Sequence, residues 1–351
     1  MNLDHFEKFH EIDVDEMLHE IDRLPEQLEN AWALGFKQSL PAMDEISAVV
    51  VAGMGGSAIG ADLLAATVAD ICPIPVMVHR DYGIPAWAKQ HNVLVILSSH
   101  SGNTEETLSA FDQASAANCQ ILAICTGGKL QTRVADAGYP VWSFEHHGQP
   151  RAAVGYSYGL LLALFVRLGL IPNVEAEVKC AISAMKVERE KLKAECPVRN
   201  NPAKRLAGQM VGRSITIFGA GHMATVARRW KCQLNEVAKA VASYEPLPEA
   251  DHNTLAGICY PPDEINKLMA LFIHSDSDHS RNQLRLNYTR ETMMVEGINT
   301  DSYIATGKSK IEQLWRAIQF GDYAAYYLAI AYDTDPTAIP PISNLKQLMS
   351  K

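Results

Sequence analysis

Two short runs of apolar residues each lead into a glycine-rich turn, and this punctuation narrows the folds open to the chain more than any other feature. Ala48–Ala52 (AVVVA) runs into GMGGSAIG, and Ser214–Phe218 (SITIF) into GAGHMA. A strand that is apolar at nearly every position reads as buried on both faces, the habit of parallel sheets. Glycine directly after it permits the tight turn from strand to helix. Ala58–Ala69 and Thr225–Lys239 supply those helices. Further strands are expected at Pro75–Val78, Val93–Leu97 (VLVIL), Gln120–Cys125 (QILAIC) and Val141–Phe144, and later at Lys267–His274 and Thr292–Val295. Helical patterns precede them at Asp13–Phe36 and recur at Val174–Glu195, Leu314–Tyr332 and Ile342–Met349. The alternation predicts an α/β protein of two doubly wound domains, each a mainly parallel sheet flanked by helices. The expected division is 1–172, with the leading helices, and 173–351, with the closing helix; a length of 351 residues suits two domains.

Both turns fit GxGxxA, so a dinucleotide site is one reading. Asp81 and Glu245 stand at tolerable distances for a ribose, but Arg80 and Pro246 sit beside them. A plain β–α turn explains either glycine pattern as well. The first half offers more. Gly55 and Gly56 leave backbone N–H groups open beside Ser57 where a helix begins. The strand VLVIL runs into Ser98-Ser99-His100-Ser101-Gly102-Asn103-Thr104 at a second helix start. Hydroxyls and unpaired N–H groups at the positive end of a helix form a phosphate cradle. A single such turn is an ordinary N-cap; two together favour a compact phosphomonoester over a pyrophosphate.

Charge and cysteine usage exclude other classes. With 31 Lys+Arg against 40 Asp+Glu the formal net charge is -9, so no nucleic-acid or anionic-membrane partner is expected. The seven cysteines are scattered without a CxxC pair. With no secretory signal they are expected to be reduced thiols of a cytoplasmic protein. The most apolar stretch, Tyr158–Leu170, is too short to span a bilayer and is interrupted by Arg167, so it reads as a buried helix. His146-His147 beside Glu145 lack a third ligand, and no metal is expected. Gly155-Tyr156-Ser157-Tyr158-Gly159 matches GxSxG as a string, but no strand precedes it. Ser275 to His279, with Asp276, Ser277 and Asp278, read as a solvated turn and N-cap.

The segments GMGGSAIG, SSHSGNTEET, PRAAVGYSYG, WKCQLNEVAK and YEPLPEADHNTLAG, in this order, resemble the bifunctional phosphoglucose/phosphomannose isomerases of the sugar isomerase (SIS) superfamily. The resemblance runs from Val49 to Ile342–Lys346, nearly the whole chain. It implies two SIS domains and an aldose–ketose isomerase that interconverts fructose 6-phosphate with glucose 6-phosphate and mannose 6-phosphate. The route is a cis-enediolate, with no metal or cofactor. By motif, Gly56, Ser57, Ser99, Ser101 and Thr104 resemble the phosphate-binding set. Arg151 resembles the cation that stabilises the enediolate, and Glu236 the base at C1 and C2. His252 resembles the ring-opening histidine, supplied by the neighbouring subunit of a homodimer, and Lys346 a lysine assisting at the sugar oxygens. The active site is then expected between the domains and at a dimer interface. On the residues alone the alternatives are plainer. Glu236 reads as a solvated helix residue near Lys231 and Lys239, and His252 and Arg151 as surface groups. Lys346 reads as a helix-end cation. Two positions depart from the family pattern: His100 stands where relatives often carry an aromatic residue, and Thr254 where many carry an acid. A non-catalytic sugar-phosphate-binding regulator is the alternative function; the presence of both Glu236 and His252 argues against it.

Overall fold

The computed structural model describes residues 2–349. In chain order the helices and strands are α1 (Met17–Asp22), α2 (Leu24–Lys37), β1 (Ala48–Ala52), α3 (Gly55–Val68), β2 (Val76–His79), β3 (Val93–Ser99), α4 (Glu105–Ala116), β4 (Gln120–Cys125), α5 (Gly128–Asp136), β5 (Val141–Ser143), α6 (Val154–Arg167), α7 (Glu175–Leu192), α8 (Pro202–Met210), β6 (Ser214–Ala220), α9 (His222–Glu236), β7 (Ala242–Leu247), β8 (Leu268–Ser275), α10 (Ser280–Val295), β9 (Asn299–Ala305), α11 (Lys310–Ala331) and α12 (Pro340–Met349). No helix among the described residues is long and apolar enough to cross a membrane.

The chain forms two compact units, Arg23–Ile182 and a second made of Met1–Asp22 with Ser183–Lys351. Each holds one wholly parallel sheet, as the two strand–turn–helix openings predict. The first sheet has the order β2-β1-β3-β4-β5. β1 and β3 are buried at every position because helices cover both faces. α6 is buried along nearly all its length, as the apolar run from Tyr158 predicts, and Ser157 of the GxSxG string lies inside it.

The second sheet has the order β7-β6-β8-β9. β6 leads through α9 to β7 on one side, and β8 leads through α10 to β9 on the other. Right-handed crossovers in opposite directions put α9 and α10 on opposite faces. On the α9 face Trp230 packs 5.7 Å from the Tyr303 ring, which lies 4.5 Å from Phe320 of α11. On the α10 face Leu286 and Met293 pack with Phe218, Phe272 and Ala250. A buried ion pair joins α9 to α11: Arg229 grips the Asp322 carboxylate through Nε (3.2 Å) and Nη2 (2.7 Å).

Two expectations are corrected, and one strand was not expected. Thr292–Val295 is the last turn of α10, and the strand of that region is β9, seven residues further on. β7, over Ala242–Leu247, escapes the sequence pattern because it carries Pro246; as an edge strand it loses no ladder bond to the proline. The leading segment packs in the second unit, not with 23–172. The Phe9 ring is 6.2 Å from Tyr326 and 6.3 Å from Tyr327, Lys204 Nζ donates to Leu3 O at 2.7 Å, and the Tyr323 hydroxyl donates to Asp22.

Candidate active site

The phosphate-type turns meet in the first unit. β1 and β3 are adjacent and parallel, so both turns leave from one edge of the sheet, at its carboxyl ends. Ser57 Oγ accepts the His100 backbone N–H at 3.0 Å, and Ser98 Oγ donates to Ser57 O at 3.4 Å, joining the turns. Glycine is required at two places. Gly102 has φ +65°, and a Cβ there would lie 1.8 Å from Gly127 O. A Cβ on Gly56 would lie 2.4 Å from Pro150 O, which shows how tightly the Pro150–Ala152 turn abuts the start of α3.

The hydroxyls can be accounted for one by one. Ser57 Oγ accepts from the chain, as does Ser101 Oγ from Asn103 N–H at 3.2 Å; each keeps its own proton to donate. Ser99 Oγ accepts Gly102 N–H at 3.1 Å and pairs with Thr104 Oγ1 at 2.9 Å, so one proton of that pair is spent between them. Gly55, with φ +51°, opens onto free space beside them. Gly55, Gly56, Ser57, Ser99, Ser101 and Thr104 are thus gathered at the N-termini of α3 and α4. Arg151 joins them from the abutting turn. It is only 2% exposed, and its Nη1 donates to Gln149 Oε1 at 3.4 Å. Its backbone N would lie 3.0 Å from a Cβ on Gly56, and its guanidinium is permanently charged.

Sequence reasoning misses what stands beside the cradle. His100 Nε2 and His146 Nδ1 are 2.9 Å apart, and the Phe144 and Tyr156 rings stack at 4.9 Å next to them. Gly56, Ser57, His100, Phe144, Pro150 and Ser157 line one small pocket. The string marks His100 only as a departure from the family pattern and His146 only as a failed metal ligand. Nothing in it pairs residues 46 apart; the adjacency of β3, β4 and β5 does.

The remaining candidates lie in the second unit. Glu236 is the last residue of α9 and is half-buried. The helix closes there on a left-handed Lys239 (φ +53°), Ala240 N–H reaches Leu234 O at 3.0 Å, and Asn235 Nδ2 donates to Ala240 O at 2.8 Å. The Asn-Glu pair therefore has a division of labour: Asn235 fixes the turn and Glu236 is presented at its edge. His252 is exposed at the end of the turn Glu249–His252. Its neighbour Asp251 anchors the loop to α10, accepting from Arg285 Nη1 at 3.1 Å and Thr289 Oγ1 at 2.8 Å. Lys346 is exposed on α12, whose residues are all exposed.

Glu236 and His252 are not brought together. Glu236 ends α9, near the start of β7, whereas His252 follows the end of β7 and sits on the α10 face. The fifteen residues of α9 alone span about 22 Å.

The second glycine turn differs from the first. His222 Nε2 (3.2 Å), Ser275 Oγ (2.7 Å) and Ser277 Oγ (2.8 Å) all bond Gln313 Oε1, and Asp278 Oδ2 accepts Ser275 N–H at 2.8 Å. The Asp278 carboxyl comes within 3.9 Å of where a Gly221 Cβ would stand, at the start of α9. Burial pushes the Asp278 pKa up to about 6, so Asp278 departs from the solvated turn the sequence suggests, whereas Asp276, Ser277 and His279 are exposed and His279 caps α10, accepting Arg281 N–H at 3.2 Å. The protein's own groups occupy the place that the first turn leaves open. Among the described residues no three metal-ligating side chains cluster.

Comparison with known proteins gives a consistent picture. Residues 199–349 match the family described as the bacterial phospho-glucose isomerase C-terminal SIS domain. The chain is 39% identical over 339 residues to a bifunctional phosphoglucose/phosphomannose isomerase of Caldicellulosiruptor bescii, covering 95% of this chain and 99% of that protein. It is 32% identical over 308 residues to the protein of the same name from Thermoplasma acidophilum, covering 87% and 90%. Among solved structures, a hypothetical protein of Thermus thermophilus shares the fold, with a TM-score of 0.73 at 14% identity, covering 95% of this chain and 89% of that one.

Proposed function

The chain belongs to the bifunctional phosphoglucose/phosphomannose isomerase family, and from that premise we propose that it interconverts fructose 6-phosphate with glucose 6-phosphate and mannose 6-phosphate. The observation that carries the proposal is the cradle at α3 and α4. Its serine hydroxyls still hold protons to donate, and the buried Arg151 abuts it.

In the proposed reaction the phosphate is held by Gly55, Gly56, Ser57, Ser99, Ser101 and Thr104. Backbone N–H groups and the dipoles of α3 and α4 favour the dianion there. Once the ring is open, the Glu236 carboxylate takes the proton from C2 of the aldose. The C–H electrons form the C1–C2 double bond, and the carbonyl oxygen at C1 becomes the enediolate oxygen. A proton passes from O2 to O1, and Glu236 returns its proton to C1, so that the O2 electrons close the C2 carbonyl and leave the ketose; return to C2 on whichever face of the planar enediolate is turned toward Glu236 yields glucose or mannose configuration. The Arg151 guanidinium offsets the charge that develops on the oxygens. His252 exchanges a proton with the ring oxygen during opening, and Lys346 assists at the sugar oxygens. Since His252 and Glu236 of one chain lie on opposite faces of a sheet, the histidine is proposed to come from a second copy, in a homodimer. A cytoplasmic setting suits seven cysteines without a disulfide, and a net charge of -9 disfavours nucleic-acid and membrane partners.

The test is a coupled assay of fructose 6-phosphate conversion in the presence of EDTA, following both aldose products. Formation of both supports the proposal. Formation of glucose 6-phosphate alone retires the mannose activity. No turnover, with fructose 6-phosphate still raising the melting temperature, indicates a regulator that binds the sugar phosphate without converting it.

A further inference from the structure

His100 and His146 have no part in the reaction as described, yet they are built into the phosphate cradle. His100 lies between Ser99 and Ser101. Its backbone N–H donates to Ser57 Oγ at 3.0 Å, so one hydroxyl separates its main chain from the proposed phosphate. Its carbonyl accepts from the Thr126 backbone N–H (3.0 Å) and Oγ1 (2.6 Å), which ties the turn to the residue after β4. The rings are held as firmly. Phe144 lies 5.9 Å from the His100 ring and Tyr156 5.9 Å from the His146 ring, both edge to face, and Phe144 stacks on Tyr156. Between them the two half-buried imidazoles meet at 2.9 Å, Nε2 of His100 to Nδ1 of His146.

A contact of that length fixes the proton count. One ring donates and the other accepts, so the neutral pair holds a single proton between its facing nitrogens. One further proton gives the pair a positive charge and makes both outer nitrogens donors. A second would set two N–H groups and two charges against each other across 2.9 Å. The pair is thus a place for one exchangeable charge, made of the side chain that titrates nearest neutral pH. Ionisable groups reach its surroundings from each neighbouring element. They are Arg151 in the Pro150–Ala152 turn, Tyr156 in α6, Glu105 and Glu106 at the start of α4, and Cys125 at the end of β4, whose thiol burial pushes up. Glu145 and His147, both exposed, flank His146 on its own loop.

We propose that His100 and His146 are a further part of the phosphate site, a hydrogen-bonded pair that takes up a proton when a phosphate dianion binds and so favours the dianion. This role rests on the reading of the cradle as a phosphate site given above. The proton comes from solvent as the ligand arrives and returns as it leaves, because a nearby anion favours the charged form of the pair. The phosphomonoester itself has lost its second proton above a pH of about 6.

Calorimetric titration with glucitol 6-phosphate, which has no carbonyl to isomerise, tests the pair in buffers of different ionisation enthalpy. If the dianion stabilises the charged pair tenfold, binding takes up about half a proton at pH 7, and affinity is about threefold weaker at pH 9. His100→Phe keeps a ring against Phe144, and His146→Gln keeps a hydrogen-bonding side chain; neither holds the extra proton. Each is expected to lose the uptake, to bind as the parent does at pH 9, and to fall behind it only at pH 7. Melting curves establish that each variant is folded, and if one is not, the other decides. A parent that binds without proton uptake, or variants that keep it, overturn the proposal. So do variants weakened equally at both pH values, since a pair that only packs the turn would act that way. A parent that does not bind glucitol 6-phosphate overturns this role together with the phosphate site. Uptake that depends on both histidines, in a protein that does not convert fructose 6-phosphate, leaves the pair standing and removes the isomerase reading.

Discussion

Exchanging one oxygen of Glu236 for an amide should remove the proposed base while keeping its shape. Glu236→Gln is expected to lower kcat by about 10²–10⁴-fold, the usual range for a lost general base, with the fructose 6-phosphate melting shift retained. Turnover within about tenfold of the parent, roughly 1.4 kcal/mol, would exclude Glu236 as the base. Asp278 supports a prediction of a different kind. Its carboxyl titrates at about 6 in the fold against 3.8 outside it, chiefly because burial penalises the charged form. Between those values the native state holds more protons than the unfolded chain, so stability falls as pH rises through that window, by at most about 3 kcal/mol. Asp278→Asn is expected to flatten that slope in thermal melts between pH 4 and 7 and to raise the melting temperature at pH 7. Parallel curves for parent and variant would contradict the buried carboxyl. The two residues also mark what was legible at this scale. Glu236 is recognisable by its flanking motif, whereas Asp278, among serines and another aspartate, reads as solvent-facing. Only the approach of β8 to β6 reveals its burial against the start of α9.

Among the elements, the turn between β3 and α4 is the most constrained. Gly102→Ala would place a methyl 1.8 Å from Gly127 O at a φ of +65°. The turn must move, so KM for fructose 6-phosphate is expected to rise more than kcat falls, and the melting temperature to drop. A variant with parent KM would show that the cradle does not hold the phosphate. α9 is held at its middle by the buried Arg229–Asp322 pair. Asp322→Ala leaves a guanidinium buried without its carboxylate and is expected to cost about 3–5 kcal/mol in denaturant unfolding. A loss under about 1 kcal/mol would mean the pair contributes little to the placement of α9. Buried strands such as AVVVA and VLVIL announce themselves because both faces of a parallel sheet are covered. β7 and β9 do not: β7 has Pro246, and β9 (NTDSYIA) mixes polar residues because both lie at sheet edges, where one side of the ladder is open. Thr292–Val295 misleads for the converse reason, a β-branched, apolar string finishing a helix whose earlier turns are polar.

At the scale of the whole molecule, the two units follow from the two glycine turns, but their membership does not. Phe9 and Asp22 precede the first sheet in sequence and pack against α11, more than 300 residues away, through aromatic contacts that no local pattern encodes. The same holds for the proposed reaction. Motifs point to Glu236 and His252, and the sheet order, which puts α9 and the His252 loop on opposite faces, is the ground on which a second chain is proposed. The most direct test is complementation between inactive partners. Glu236→Gln and His252→Asn are each prepared, shown to be inactive and dimeric, then mixed under conditions that exchange subunits. With random exchange half the dimers are mixed, and each mixed dimer holds one site with Glu236 from one chain and His252 from the other. Recovery of about one quarter of the parent activity is predicted. If the mixture, with subunit exchange verified, stays as inactive as its components, the base and the ring-opening histidine act from a single chain, contradicting the account.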